Sequence, residues 1–484
     1  MTNRREFLTG TAWMGAMALA AGCATAAEDR PASGGEQKPA AAKGTPMSNF
    51  RVAPIKLVRI AFIGIGNRGS AAVKRVSKIP GCEATVLCDL RKEAVAENQK
   101  WLKANAKGAK RYYAGQDDSW KGACDDPGVD VVYIATPAGL HAKIAIYAMR
   151  AGKHVLTEVP AAYRLEDLWE IVETCEQTKR HCMMLENCCY GEMEMLMWNL
   201  CHKGVLGKIT HSEGGYIHNL TERQLENSFR NRDHRGKGIR KGNGYPTHPL
   251  GPICQNMDIN HGDRMTCIVS MSSGEGGWSD YIAATFKPDD WQSKIKLDKG
   301  DMNTSLIKTA KGRSIMLQYD TTTPRPYSRI NLVQGSRGCF ADYPPRLSLS
   351  PEGKPATHVK DWLGEAEFKA MKEKYGHPLW KQVGEIAKKV GGHGGMDFIM
   401  DLRWAYCLQN GLPLDMDVYD LASWSSVAAC SAKSDIGGSV PVEIPDFTRG
   451  AWKTAKPREI GAVDLAKMGL DAKDVKAADG QLSV

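Results

Sequence analysis

The residues with the plainest chemical meaning are three glycines and an acid. Gly64, Gly66 and Gly69 stand in the spacing G-x-G-x-x-G, enclosing Asn67 and Arg68, and Asp89 follows twenty residues after Gly69. Glycines so spaced allow a tight turn and let a pyrophosphate approach the backbone at a helix N-terminus, where the peptide dipoles favour an anion. An acid at that distance accepts hydrogen bonds from the ribose hydroxyls of an adenosine. The chemistry of such a site is hydride transfer to and from a nicotinamide. A carboxylate at 89 repels a 2′-phosphate, which favours NAD, while Arg91 nearby leaves NADP open.

Such glycines work only between a strand and a helix. Residues 58–63 are a β-branched run directly before Gly64, residues 70–79 carry a helical pattern, and residues 84–88 form a second strand ending at Asp89. Further strand runs at 129–135, 152–160 (a strand and its turn) and 181–187 alternate with helical stretches. This alternation predicts an α/β fold with a doubly wound parallel Rossmann sheet. Ligands gather at the carboxyl ends of its strands, where Asp89, Thr136, Glu158 and Asn187 fall. Beyond residue 190 the alternation weakens. Runs at 205–217, 267–271, 281–286, 302–309, 313–319 and 329–335 predict strands of a second, α+β domain with an open sheet, and 397–409 predict an amphipathic helix. The expected division is a dinucleotide-binding domain over 55–187 and a substrate-binding domain over 188–484.

The start of the chain reads differently. Arg4 and Arg5 precede Phe7-Leu8 and an apolar stretch at 11–21, which predicts a twin-arginine export signal over 1–22, too short for a stable membrane span. Cys23 sits in a context resembling a lipoprotein processing site and is the expected lipid anchor, with 23–54 as a flexible tether. The protein is thus expected outside the cytoplasm, in the periplasm or lipid-anchored to the envelope. Its 14 cysteines lack metal-ligand spacing, so buried thiols and no metal are expected. A net charge of +9 over 484 residues does not point to nucleic acid. Six basic residues crowd into 230–241, as a solvated loop or as a grip on a polar substrate. Composition does not fix whether the chain forms a homo-oligomer.

With the glycine loop, Thr136-Pro137, Gly152-Lys153-His154-Val155 and Glu158-x-Pro160 resemble the glucose–fructose oxidoreductase and inositol dehydrogenase superfamily. Most oxidoreductases there read Glu-Lys-Pro, whose lysine helps a sugar hydroxyl lose its proton. Val159 cannot do this. A closer resemblance accounts for the valine. Residues 158–162 (EVPAA), 184–190 (MLENCCY), 213–219 (EGGYIHN), 245–248 (YPTH), 323–329 (TPRPYSR) and 393–398 (HGGMDF) resemble glycoside hydrolase family 109, whose members are NAD-dependent α-N-acetylgalactosaminidases. Pro249 departs from the glycine usual there.

The resemblance implies that NAD is contacted by the three glycines, Asn67, Arg68, Asp89, Ala138, Gly139, Leu140, His141, Glu158, Val159, Asn187 and Tyr245. Substrate contacts are implied for Tyr216, for an arginine of the basic loop (Arg232 first, Arg235 second), and for Tyr245, Pro246, Thr247, His248 and Tyr327. His248 is the implied base for the hydroxyl on sugar carbon 3, and Tyr190 for the proton on carbon 2. His248 also reads as a turn cap and Tyr190 as a core aromatic, while His393 and Asp397 read as structural.

An exported enzyme meets little free NAD, so a net oxidation would leave it reduced after one turnover. Either a second sugar takes the electrons, as in an exported sugar oxidoreductase, or the hydride returns to the same substrate. The second route, which the resemblance implies, oxidises carbon 3, eliminates the aglycone, adds water at carbon 1 and reduces carbon 3 again. A lipid-anchored binding protein that has lost its chemistry is the third reading.

Overall fold

The computed structural model describes residues 45–223, 225, 241–295, 297–351 and 359–470. The expected export signal, Cys23, most of the tether, and Arg232 and Arg235 lie outside the described residues.

Six strands make one parallel sheet: β1 (Val58–Ile63), β2 (Cys82–Asp89), β3 (Arg111–Ala114), β4 (Val131–Ile134), β5 (His154–Thr157) and β6 (Cys182–Met184). Their order is β3-β2-β1-β4-β5-β6. β4 and β5 are buried along their whole length, as expected of a sheet covered by helices on both faces. β1 pairs with β2 on one side and β4 on the other, so the order reverses there and a crevice opens at their carboxyl ends. Gly64 follows β1, Asp89 ends β2, and Glu158 follows β5.

The second sheet holds β7 (Ile209–Ile217), β8 (Met265–Ser272), β9 (Asn303–Thr309), β10 (Ser314–Asp320), β11 (Leu332–Gly335), β12 (Gly338–Ala341), β13 (Arg346–Leu349) and β14 (Val442–Glu443). Its order is β13-β12-β11-β7-β10-β9-β8-β14, with β7 and β10 parallel and the other pairs antiparallel. One face is open: Met271 and Leu306 are exposed on it.

Three expectations need correction. Residues 281–286 are not a strand; most of them belong to the helix Gly277–Thr285, whose start is held by Asp301 accepting the amide hydrogens of Gly276 and Gly277. A short apolar run fits a helix as well as a strand, and this remote acid decides between them. The run 181–187 leaves the sheet at Met184 and turns into a 3-10 turn, Asn187–Tyr190. The helix Met396–Asn410 is not amphipathic. It is buried almost all round, and its charged residues pair inside the protein. A further long helix, Val418–Ile436, is capped by Asp417, which accepts from the amides of Tyr419 and Asp420. It packs against β6, against the helix Leu165–Thr178 and against β8, and so joins the two sheets.

Candidate active site

The glycine turn is shaped by what a side chain would strike. Gly64 has φ +81°, and a Cβ there would lie 2.6 Å from the Thr136 amide nitrogen. A Cβ on Gly69 would lie 2.0 Å from the Gly64 carbonyl oxygen, so the helix Asn67–Val76 sits directly on the turn. Gly66 differs. Its absent Cβ would meet only Arg91 Nη2, at 3.0 Å, so bare backbone faces open space at the helix start. That cradle fits a pyrophosphate, and Asp89 at the end of β2, its Oδ1 accepting the Arg91 amide at 2.9 Å, fits the ribose of NAD. Ala138, Gly139 and Leu140 form a 3-10 turn after Thr136-Pro137. The His141 ring is buried between the carbonyls of Pro160 (2.9 Å) and Thr136 (2.7 Å), so it braces two turns, and burial lowers its basicity.

Beside the cradle, Arg68 Nε donates to Glu158 Oε1 at 2.8 Å and Arg68 Nη1 to Asp397 Oδ2 at 2.7 Å. Tyr133 donates to the same Glu158 oxygen, and Asn187 Nδ2 donates to Asp397 Oδ1 at 2.6 Å. Burial pushes the Asp397 carboxyl up, but Arg68 and Arg75 outweigh it and hold Asp397 well below the usual carboxylate range.

The third component is aromatic. The Tyr245 ring lies 4.8 Å from that of His248 and 4.8 Å from that of Tyr216, and Tyr216 in turn faces Tyr319 and His218. Tyr327 packs edge-on to His218 at 5.0 Å. These residues come from β7, β10, their following turns and the start of the helix Thr247–Asn256. His248 Nδ1 lies 2.7 Å from Glu186 Oε1, and that fully buried oxygen also accepts the Cys188 amide. Burial raises Glu186, yet His248 and these hydrogen bonds hold it below its ordinary value. An ionised Glu186 fixes the proton of a neutral His248 on Nδ1, which leaves Nε2 as the acceptor. Glu186, Cys188 and His248 stand close enough to share a metal ion, but Arg329 Nη1 already contacts the Cys188 sulfur at 3.2 Å and His248 spends Nδ1 on Glu186.

A nucleotide cradle thus meets a carboxylate–imidazole pair set in an aromatic wall. Residues 58–186 match an oxidoreductase family with an NAD-binding Rossmann fold, and residues 190–454 match the glycosyl hydrolase 109 C-terminal domain. The chain belongs to glycosyl hydrolase family 109. It is 44% identical over 411 residues to glycosyl hydrolase family 109 protein 2 of Phocaeicola vulgatus, covering 84% of this chain and 98% of that protein. It is 44% identical over 407 residues to the alpha-N-acetylgalactosaminidase of Bacteroides fragilis, covering 83% of this chain and 94% of the relative. Among solved structures, levoglucosan dehydrogenase in complex with NADH and levoglucosan is similar in fold. Its TM-score is 0.60 at 18% identity, over 80% of this chain and 99% of that one. This family 109 chain is therefore a glycoside hydrolase with an NAD-binding Rossmann domain, as the motif resemblance implied.

The family 109 site departs from expectation at several residues. Tyr190, the expected base for carbon 2, has its side chain turned into the protein. Its phenol is fully buried and donates to Asp415 at 3.0 Å, which Arg403 also holds, and burial pushes its ionisation well above the ordinary value. That placement agrees with the core-aromatic reading of the residue. Pro246 and Thr247 are buried at the helix start and set the position of His248. Pro249 is the third residue of that helix, where a missing amide hydrogen breaks no helical bond. It packs on Gly214, where a Cβ would lie 2.6 Å from its own. Glu186, His218 and Asp397 were not expected at the site. His218 had a signal, since it lies two residues after Tyr216 and shares its side of the strand. Asp397 had another, standing four residues after His393.

Proposed function

We propose that this family 109 enzyme hydrolyses terminal α-N-acetylgalactosaminides without net redox change. The observation that carries the reading is the Glu186–His248 pair, 2.7 Å apart, set in the aromatic wall beside the glycine cradle. Bound in that cradle, NAD supplies reversible hydride transfer with a sugar carbon. The backbone of Gly64, Gly66 and Gly69 holds its pyrophosphate and Asp89 its ribose. His248 Nε2 takes the proton of the carbon 3 hydroxyl and later returns it, while Glu186 holds the ring. Val159 has no proton to exchange, so this work falls to the imidazole. Tyr216, Tyr245 and Tyr327 pack the sugar ring and exclude water. A carbonyl at carbon 3 acidifies the carbon 2 proton, which passes to water as the aglycone leaves carbon 1 by elimination and takes up a proton; water then adds its hydroxyl at carbon 1 and a proton returns to carbon 2. The names of the Bacteroides and Shewanella oneidensis relatives support this substrate. The export signal expected over 1–22 agrees with it, because a hydride that returns to its own substrate needs no free pool of cofactor.

Purified protein incubated with an aryl α-N-acetylgalactosaminide should release the phenol with no NAD added. Absence of release from nucleotide-loaded protein across a pH series would refute the proposal. Accumulation of a lactone or keto-sugar would replace it with a sugar oxidoreductase.

A further inference from the structure

Asp397 is a buried charge whose partners converge from distant parts of the chain on the cofactor side. It is 1% exposed, on the first turn of the helix Met396–Asn410. Its oxygens meet Asn187 Nδ2 at 2.6 Å, Arg68 Nη1 at 2.7 Å, His393 Nδ1 at 3.0 Å and Arg75 Nη1 at 3.5 Å. Arg68 also binds Glu158 through Nε. The Arg68 side chain, 29% exposed, therefore runs from the glycine loop to the end of β5 and to an acid 329 residues later. It lies at the mouth of the crevice, not in the core.

The backbone makes an unusual approach to Asp397. Gly391, Gly392, Gly394 and Gly395 have φ of +89°, +87°, +70° and +106°, and a Cβ on Gly392 would lie 2.7 Å from that of Asp397. Only glycine passes over the acid in this way. Burying a carboxylate is a poor means of stabilising a fold, because desolvation offsets most of what pairing returns. Two of its four partners, Arg68 and Asn187, are residues expected at NAD.

We propose that Asp397 is a positioning residue for cofactor retention: it ties Arg68 and Asn187 into a strap that keeps NAD resident between turnovers. This rests on the reading that the enzyme works with a resident NAD. The strap closes when Arg68 bridges Glu158 and Asp397, and it opens for exchange only when both ion pairs break.

The test uses the full chain, with nucleotide released by acid counted per chain and exchange measured against labelled NAD. Wild-type protein should hold its nucleotide through gel filtration. Asp397→Asn should exchange it about ten- to a hundredfold faster, the effect of losing a charged hydrogen bond. Excess NAD should restore kcat to within about threefold of wild type, as a defect in binding and not in chemistry requires. Arg68→Gln cuts the same strap at a partly exposed position, and it decides the matter if Asp397→Asn does not melt cooperatively. Wild-type exchange in the folded variants overturns the strap, as does a loss of kcat that added NAD fails to restore. A wild-type chain that carries no nucleotide overturns the resident-cofactor reading as well.

Discussion

Replacing Glu186 by Gln tests the proton-handling assigned to His248. The 2.7 Å contact joins a buried carboxylate to Nδ1, and glutamine keeps its shape while removing its charge. A hydrogen bond to a charged group contributes about 1.5–3 kcal/mol. The glutamine oxygen keeps a neutral bond of about 0.5–1.5 kcal/mol, so at about 1.4 kcal/mol per tenfold in rate the lost charge should lower kcat about tenfold. The side chain also accepts the Cys188 amide at 3.1 Å, a bond the amide oxygen of glutamine can keep, so the fold should survive. Release of phenol from an aryl α-N-acetylgalactosaminide gives kcat, and acid-released nucleotide and a thermal melt show that cofactor and fold are intact. His248→Ala should cost about a hundredfold or more. The double variant should be no slower than His248→Ala alone, because Glu186 acts only through that ring. A Glu186→Gln enzyme within about threefold of wild type, or additive losses in the double variant, would refute the pairing.

Gly66→Val should lose bound nucleotide, counted per chain, yet melt close to nucleotide-stripped wild type, since its side chain enters the open cradle. Gly69→Ala should instead lower the melting temperature, because its methyl group collides with the Gly64 carbonyl. Tyr190→Phe should keep nearly full turnover and lose about 1–3 kcal/mol of stability with the bond to Asp415, measured by denaturant titration; an inactive but folded protein would restore Tyr190 to the chemistry. Asp397 is held below its unfolded value of 3.8, so its contribution is present above that pH and lost as pH falls through the lower folded value. The gap in melting temperature between wild type and Asp397→Asn should therefore be widest near neutrality and narrow below pH 4.

Five of the six Rossmann strands were legible because they are largely buried and the glycines beside them are demanded by contacts within one turn; β3, a half-exposed edge strand, carries no such apolar run and was not expected. Asp89, Glu158 and Asn187 could be placed because the topology sends strand ends to one crevice. The second sheet was harder. Its strands are half-buried, and 281–286 reads equally as helix or strand until Asp301, distant in sequence, holds the helix start. Where the Tyr190 phenol points was not legible, because motifs do not give a side chain's direction; Asp415, 225 residues away, accepts its hydrogen bond. Glu186 escaped notice because a single acid beside a strand end carries no period or spacing, and only the fold brings His248 to it.

The helix Val418–Ile436 has a consequence for how the protein is made. Ser425 accepts the Ala161 amide and touches the Met184 sulfur, and the same helix lies on β8. The first sheet therefore lacks part of its cover until more than four hundred residues have left the ribosome. A fragment ending before residue 418 would carry the whole nucleotide motif and still leave Met184 and its neighbours bare. Residues 418–436 are thus part of the cover of the nucleotide-binding half, and a fragment without them is expected to be less stable than the same residues in the whole chain.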